Sequence, residues 1–269
     1  VPDGVSTGEQ RLSDLPDVLL RPVRGHHAFE TCVGQLAAAI RLGVFPWGTA
    51  LPPERELAER MSVSRATLRE AIVALRAADM VTTARGRGGG TTVCYRPTTP
   101  DESGAVDQPG IAERADALVD SLHFRRVAEP GACYLLAARG LSAADRATLS
   151  DLERAVREAP DNPERRQADS RLHLAIAAGT GSRLILDAVT TVQADLHEML
   201  SAIPVLDRNI AHSHRQHAAI VSAILAGDPT TARRAMEQHC DDTAALLAGL
   251  LGLPFTPVTE TRRTTRSPR

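Results

Sequence analysis

The chain has 269 residues, 43% of them hydrophobic and 24% charged, with a formal net charge of −2. The length suggests two domains, and the apolar fraction excludes a largely disordered chain. Aromatic residues make up only 3%, so the cores must be built from Leu, Ala, Val and Ile, which favours packed helices over a large sheet. All 31 basic residues are Arg, a bias that genomic base composition explains. The charge is uneven: residues 11–96 hold 12 Arg and 8 acids, whereas residues 111–251 hold 15 Arg and 19 acids. A basic head on an acidic body suits a nucleic-acid partner for the head alone. Cys32, Cys94, Cys133 and Cys240 form no C-x-x-C pair, which argues against a disulfide scaffold or a zinc finger. With no signal-peptide pattern and no apolar run of transmembrane length, the expectation is a reduced, cytoplasmic protein without a membrane partner.

Residues 1–24 mix Pro, Gly and polar residues and read as a flexible arm. A first helix fits His27 to Leu42, with Phe29, Val33, Leu36, Ala37 and Ile40 on one face and Gly43 ending it. Two short helical patterns then flank Ser62-Val63-Ser64. Glu54 to Met61 puts Leu57, Ala58 and Met61 on one face. Arg65 to Ala77 puts Leu68, Ala71, Ile72 and Leu75 on one face and turns Arg65 and Arg69 away from it. That is a helix-turn-helix with a basic recognition helix, so double-stranded DNA is the first partner to expect. Val81-Thr82-Thr83 and the run Thr91 to Tyr95 read as two short strands around a Gly- and Arg-rich turn, together a wing.

Residues 97–110, rich in Pro, Gly and acid, read as a linker. From 111 to 251 the pattern is helical throughout, with helices expected near 111–123, 125–139, 143–158, 163–179, 183–201, 206–226 and 229–251. Residues 252–269 are rich in Thr, Pro and Arg and read as a disordered tail. The fold class is therefore mainly α. A winged helix-turn-helix domain spans 25–96, and an all-helical bundle domain for effector binding and dimerisation spans 111–251.

Within the bundle, Asp169 and His173 are four apart and point the same way on a helix. His217 lies 11 residues before Asp228 and His239 lies 11 after it. In an antiparallel helical hairpin turning at Asp228, both sit roughly 16 Å from the turn at ~1.5 Å per residue. Three imidazoles and a carboxylate are a good donor set for one divalent metal ion such as zinc, nickel or manganese. The competing readings are a surface Asp–His pair and satisfied core histidines.

In the head, Leu51-Pro52, Glu54-Arg55-Glu56-Leu57-Ala58, Val63-Ser64-Arg65 and Leu68-Arg69-Glu70-Ala71 form a signature that resembles the GntR family of bacterial transcription regulators. Ile40, Gly43 and Gly48 stand before these and Gly86 to Val93 after them. Pro53 departs from the usual Ser helix cap but is acceptable in a first turn. Residues 111–251 resemble the helical ligand domain of the FadR-like branch. The matches are Arg125-x3-Glu129, Asp169-x3-His173, His217-Ala-Ala-Ile220, Gly227-Asp228, Ala235-Met236 and His239. The resemblance implies that Asp169, His173, His217 and His239 hold the metal. It also implies that Arg125 meets the carboxylate of a small organic acid effector; the alternative for Arg125 is an intrahelical pair with Glu129. On DNA, Ser64 and Thr67 suit phosphates, and Arg65 and Arg69 suit base edges. The resemblance adds Arg55, and places Arg87 and Gly88 at the minor groove.

The expected function is a ligand-responsive repressor that binds a palindromic operator as a homodimer and is not an enzyme. The alternatives are a regulator that answers the metal alone, or a metalloenzyme second domain.

Overall fold

In a computed structural model of the chain, the residues described are 12–23, 28–84, 90–97, 114–201, 203 and 206–254. The first helices are α1 (Leu15–Leu19), α2 (Ala28–Arg41), α3 (Glu54–Arg60) and α4 (Arg65–Ala77), followed by strands β1 (Val81–Thr83) and β2 (Thr91–Val93). The strands are antiparallel, pairing Val81 with Val93 and Thr83 with Thr91. Six longer helices follow: α5 (Ala115–Arg139), α6 (Ala143–Glu158), α7 (Asn162–Gly179), α8 (Arg183–Ser201), α9 (Asp207–Ala226) and α10 (Pro229–Leu251).

Local chemistry sets most of these boundaries. Ser64, Ser142, Asp161 and Asp228 each accept a hydrogen bond from a backbone N–H three residues on, capping α4, α6, α7 and α10. The turn between α9 and α10 is closed by Gly227 in the left-handed region, φ 68°. Helix α5 runs unbroken from Ala115 to Arg139, where two helices were expected. Nothing near Phe124 can terminate a helix, and α5 even contains Pro130.

Of the flexible arm expected over 1–24, residues 1–11 and 24 lie outside the described residues, and residues 12–23 are instead ordered against the fold. Leu12, Leu15, Leu19, Leu20 and Val23 are buried; the first three recur at three- to four-residue spacing on two short helical turns, and Leu20 and Val23 follow where the helix ends. The Leu12 N–H donates to Asp145 at the start of α6, and the Val23 N–H donates to the Met61 carbonyl. The segment thus straps the helix-turn-helix to the helical body. The expected linker lies outside the described residues apart from Pro97, and so does the tail beyond Pro254. Leu253, just past the end of α10, is buried. In α2, Cys32 replaces Phe29 on the buried face; Phe29 is exposed.

One hydrophobic core joins the head to the body: α2, α3, α4 and both strands share it with Leu174, Ala177 and Ala178 of α7 and Leu186 and Val189 of α8. A second core lies among α5, α6, α7, α9 and α10, and a third joins the N-terminal half of α5 to the C-terminal ends of α8 and α10. Helix α10 lies along α5, with α9 beside α10. These three helices and α7 frame the site described next.

Candidate functional site

The head presents a recognition surface built on α3 and α4. Leu57, Ala58 and Met61 are buried beneath it, together with Leu68, Ala71, Ile72 and Leu75. Arg55, Arg65 and Arg69 are exposed. Arg55 pairs with Glu59 at 2.9 Å, and Arg69 Nε donates to Glu54 at 2.9 Å across the two helices. The Ser64 hydroxyl accepts from the Thr67 N–H at 3.0 Å and lies 2.9 Å from the Thr67 hydroxyl. Ser64 therefore caps α4 first, and both hydroxyls stand at that helix's positive end, where an anion is favoured. Arg87 and Gly88 lie outside the described residues.

In the body, α7, α9 and α10 bring His173, His217 and His239 together, each 1–3% exposed. One nitrogen from each lies within 4.8 Å of the others. His217 and His239 have ring centroids 4.6 Å apart, as two positions equidistant from the Asp228 turn should. His173 Nε2 is 3.4 Å from His217 Nε2. Asp169 places Oδ1 3.2 Å from His217 Nε2 and Oδ2 3.9 Å from His173 Nε2. Two donors each about 2.0–2.1 Å from one tetrahedral ion stand about 3.4 Å apart. The His173–His217 separation matches that geometry.

Neighbouring groups set which nitrogen His173 and His239 turn inward. Glu129 Oε2 lies 2.9 Å from His173 Nδ1. A carboxylate only accepts, so Nδ1 carries the proton and Nε2 faces the cluster. Gln216 donates its amide N–H to Asp242 at 2.7 Å, and its oxygen therefore accepts from His239 Nδ1 at 3.0 Å. Burial lowers the His217 pKa to about 4 and holds His239 well below its ordinary value. Both are neutral imidazoles at neutral pH, the form that binds metals. His173 differs. Burial opposes its protonation, but Glu129 outweighs this, and its pKa is raised.

Arg125 is 1% exposed and its Nε donates to Glu129 at 3.0 Å. Its Nη1 and Nη2 are buried and have no hydrogen-bond partner among the described residues. They belong to a side chain lining a cavity of about 480 Å³ that also exposes Asp169 and His239. Two parallel N–H donors on a planar guanidinium match the two oxygens of a carboxylate.

The sequence profile for bacterial regulatory proteins of the gntR family matches residues 30–93. The FCD domain profile matches residues 120–242. An Escherichia coli K12 protein, named as an L-lactate dehydrogenase operon regulatory protein, is 31% identical over 198 residues, 71% of this chain and 75% of that one. The chain belongs to the GntR family. Two further relatives are the E. coli K12 Glc operon transcriptional activator and the HTH-type transcriptional repressor NanR of Enterobacter sp. strain 638. The first is 29% identical over 209 residues, 73% of this chain and 80% of its own. The second is 28% identical over 244 residues, 84% of this chain and 87% of its own. This GntR regulator, with its FCD effector domain, is a DNA-binding transcription regulator and not an enzyme. None of its described helices is long and apolar enough to cross a membrane.

The sequence reading of this GntR protein named the Arg125–Glu129 pair but missed the other contacts that orient the site. Glu129 binds Arg125, His173 and, at 2.6 Å, the Gln193 amide. Gln216 fixes His239. Gln216 could have been found one residue before His217, but Gln193 carries no pattern that singles it out. Also missed was the second face of α7. Gln167 donates to the Ile40 carbonyl at 3.1 Å and Arg171 to the Gly43 carbonyl at 3.3 Å. The helix that carries Asp169 and His173 therefore also grips the end of α2 in the head.

Proposed function

We propose that this protein is a repressor that binds a palindromic operator as a homodimer and releases it when a small organic acid enters the FCD domain. The observation that carries the reading is the unpartnered edge of the Arg125 guanidinium, which lines one cavity with Asp169 and His239, two members of the cluster that His173 and His217 complete. Those four residues would hold one divalent ion, with zinc, nickel and manganese as the candidates. When bound, it supplies positive charge and open coordination positions for a carboxylate. The chain's own residues do the rest. Glu129 and Gln216 keep His173 and His239 in the ligand tautomer, and Arg125 orients the acid with two parallel hydrogen bonds.

Helix α7 is the route by which the site reaches the head. A closure that shifts Asp169 or His173 moves Gln167 and Arg171, and with them the end of α2 against which α4 packs. A coupling of ordinary size, about 1–3 kcal/mol, would change DNA affinity by ~5–150-fold. The dimer reading is supported by α5, where Phe124, Val127, Tyr134 and Leu135 are all exposed on one side of the helix. A second copy covering that face would place two heads for two half-sites. Arg55, Ser64, Arg65, Thr67 and Arg69, with Arg87 and Gly88 of the wing, are the proposed DNA contacts.

The test is elemental analysis of protein purified without an affinity tag, alongside duplex selection from a random library. About one metal per chain is expected in the wild type and almost none in a His217→Ala, His239→Ala double variant. The selected duplex should be an inverted repeat bound by two chains, and Arg65→Ala or Arg69→Ala should each weaken it by about 1–3 kcal/mol. Full metal occupancy in the double variant would place the ion elsewhere. DNA binding that follows metal alone and ignores every acid would replace the acid sensor with a metal sensor.

A further inference from the structure

The cavity beside Arg125 is too large and too aliphatic for a three-carbon hydroxy acid. At about 30 Å³ per water-sized group, 480 Å³ holds roughly 16 such groups. A lactate-sized acid has six non-hydrogen atoms and would leave well over half of the space to water. One wall is built by Leu196 and Leu200 of α8, Ile203 after it, Leu206 and Ile210 at the start of α9, and Leu246 of α10. Phe, Tyr and Trp are absent from the described lining, so nothing there would stack on a flat ring.

The polar groups of the opposite wall are largely engaged with one another. Arg165 binds the Asn162 side chain and the Ala159 carbonyl, and Arg166 donates to the Ser201 hydroxyl at 3.3 Å. His212 and Gln216 both reach Asp242, and the Thr243 hydroxyl donates to the His239 carbonyl. Arg165 Nε and His214 Nε2 also lack a partner among the described residues, but Arg125 is the lining cation with both terminal nitrogens buried and unpartnered. The ligand this arrangement fits has one anionic head and an aliphatic body.

We propose that the effector is an amphipathic monocarboxylic acid with an aliphatic chain of about six to ten carbons, its head on Arg125 and its body along Leu196, Leu200, Leu206 and Ile210. The inference rests on the reading of the site as a carboxylate sensor and adds the class of acid.

The test is calorimetric titration of the full-length, metal-loaded protein with straight-chain monocarboxylates from propionate to decanoate. Lactate, citrate and the amide of the tightest-binding acid are the comparators. Affinity should rise about fourfold per added methylene until the cavity is filled, the free-energy equivalent of burying one CH₂. The amide should bind at least tenfold more weakly than its acid. Leu206 and Ile210 are not fully buried, so Leu206→Ser and Ile210→Ser leave the core intact. Each should weaken octanoate about tenfold or more and leave propionate unchanged. A flat chain-length profile, or lactate or citrate binding more tightly than octanoate, overturns the aliphatic body while leaving the acid sensor standing. An amide as tight as its acid, or no binding by any acid, overturns the acid sensor itself.

Discussion

Arg125 and Glu129 form an ion pair with side chains only 1% and 2% exposed, which makes the pair a sensitive test of how the site is built. In Arg125→Met the volume is nearly kept and the positive charge is lost. Glu129 is then a buried carboxylate with two remaining partners, the Gln193 amide at 2.6 Å and His173 Nδ1 at 2.9 Å. Breaking one side of a buried pair costs about 3–5 kcal/mol. Because His173 can take a proton and supply part of the missing charge, the expected loss lies near ~3 kcal/mol. In Arg125→Met, Glu129→Gln the buried pair carries no charge, and the main loss is one hydrogen bond, since Gln193 and His173 sit at different oxygens of the Glu129 carboxylate and a glutamine has only one. That costs about 1 kcal/mol. The double variant should therefore be more stable than the single variant by about 2 kcal/mol. Urea denaturation at neutral pH, with chelator present so that metal linkage does not enter, measures all four corners of the cycle. A loss under about 1 kcal/mol in Arg125→Met, with no recovery in the double variant, would refute the view that Glu129 depends on Arg125 for its charge.

Two further outcomes follow from the contacts between head and body. Burial, with Arg166 and Arg41 nearby, lowers the His197 pKa from 6.5 to about 4, and its Nε2 lies 3.4 Å from the Tyr95 hydroxyl. Its stabilisation is complete above pH 6.5 and is lost as pH falls toward 4, because only the unfolded chain binds the proton in that window; the loss is at most about 3 kcal/mol. Melting curves of His197→Gln should be flatter over that range than those of the wild type, and identical curves would exclude His197 as the source. Gly43 has φ +73° and a Cβ there would stand 2.5 Å from Gln167 Cβ, whereas Gly48, at φ +77°, has open space. Gly48→Ala should cost only backbone strain, about 1 kcal/mol, while Gly43→Ala should cost at least about 2 kcal/mol more by pushing the head off α7. Equal denaturation midpoints for the two would show that the head does not press on Gln167.

Most of the head was legible in the sequence because its information is local. The apolar spacing of Leu57, Ala58 and Met61, the Ser64 cap, and the face formed by Leu68, Ala71, Ile72 and Leu75 all act within a few turns of chain. The meeting of His217 with His239 was legible for a different reason: a hairpin closed at Gly227-Asp228 converts sequence distance into height along two helices. What was hidden depends on contacts between distant segments. Leu12, Leu15 and Leu19 carry a helical stripe, but Pro16 and polar neighbours masked it, and its burial requires α6 and α7 to be in place. Gln167 and Gln193 are ordinary surface residues by type, and only the approach of α2 or Glu129 makes them structural.

Arg125 shows why competing readings of one residue need not exclude each other. An intrahelical pair with Glu129 and a contact to an effector carboxylate stood as alternatives, as though the side chain had one bond to give. A guanidinium has five N–H donors fixed in a plane. Its Nε side is taken by Glu129, one turn along α5. The two terminal nitrogens on the far side remain for a ligand. The pair with Glu129 is what makes the second role affordable, because it keeps the cation buried, charged and in one orientation before any acid arrives. A lysine here could not divide itself in this way, since its single ammonium has no fixed second edge. In the proposed site the same geometry would tie an effector head to the histidine cluster through one carboxylate: Glu129 orients Arg125 with Oε2 and stands beside His173 Nδ1 with that same oxygen. Any ligand that pulls on the guanidinium therefore also acts on the imidazole, and His173 sits on the helix that holds the head.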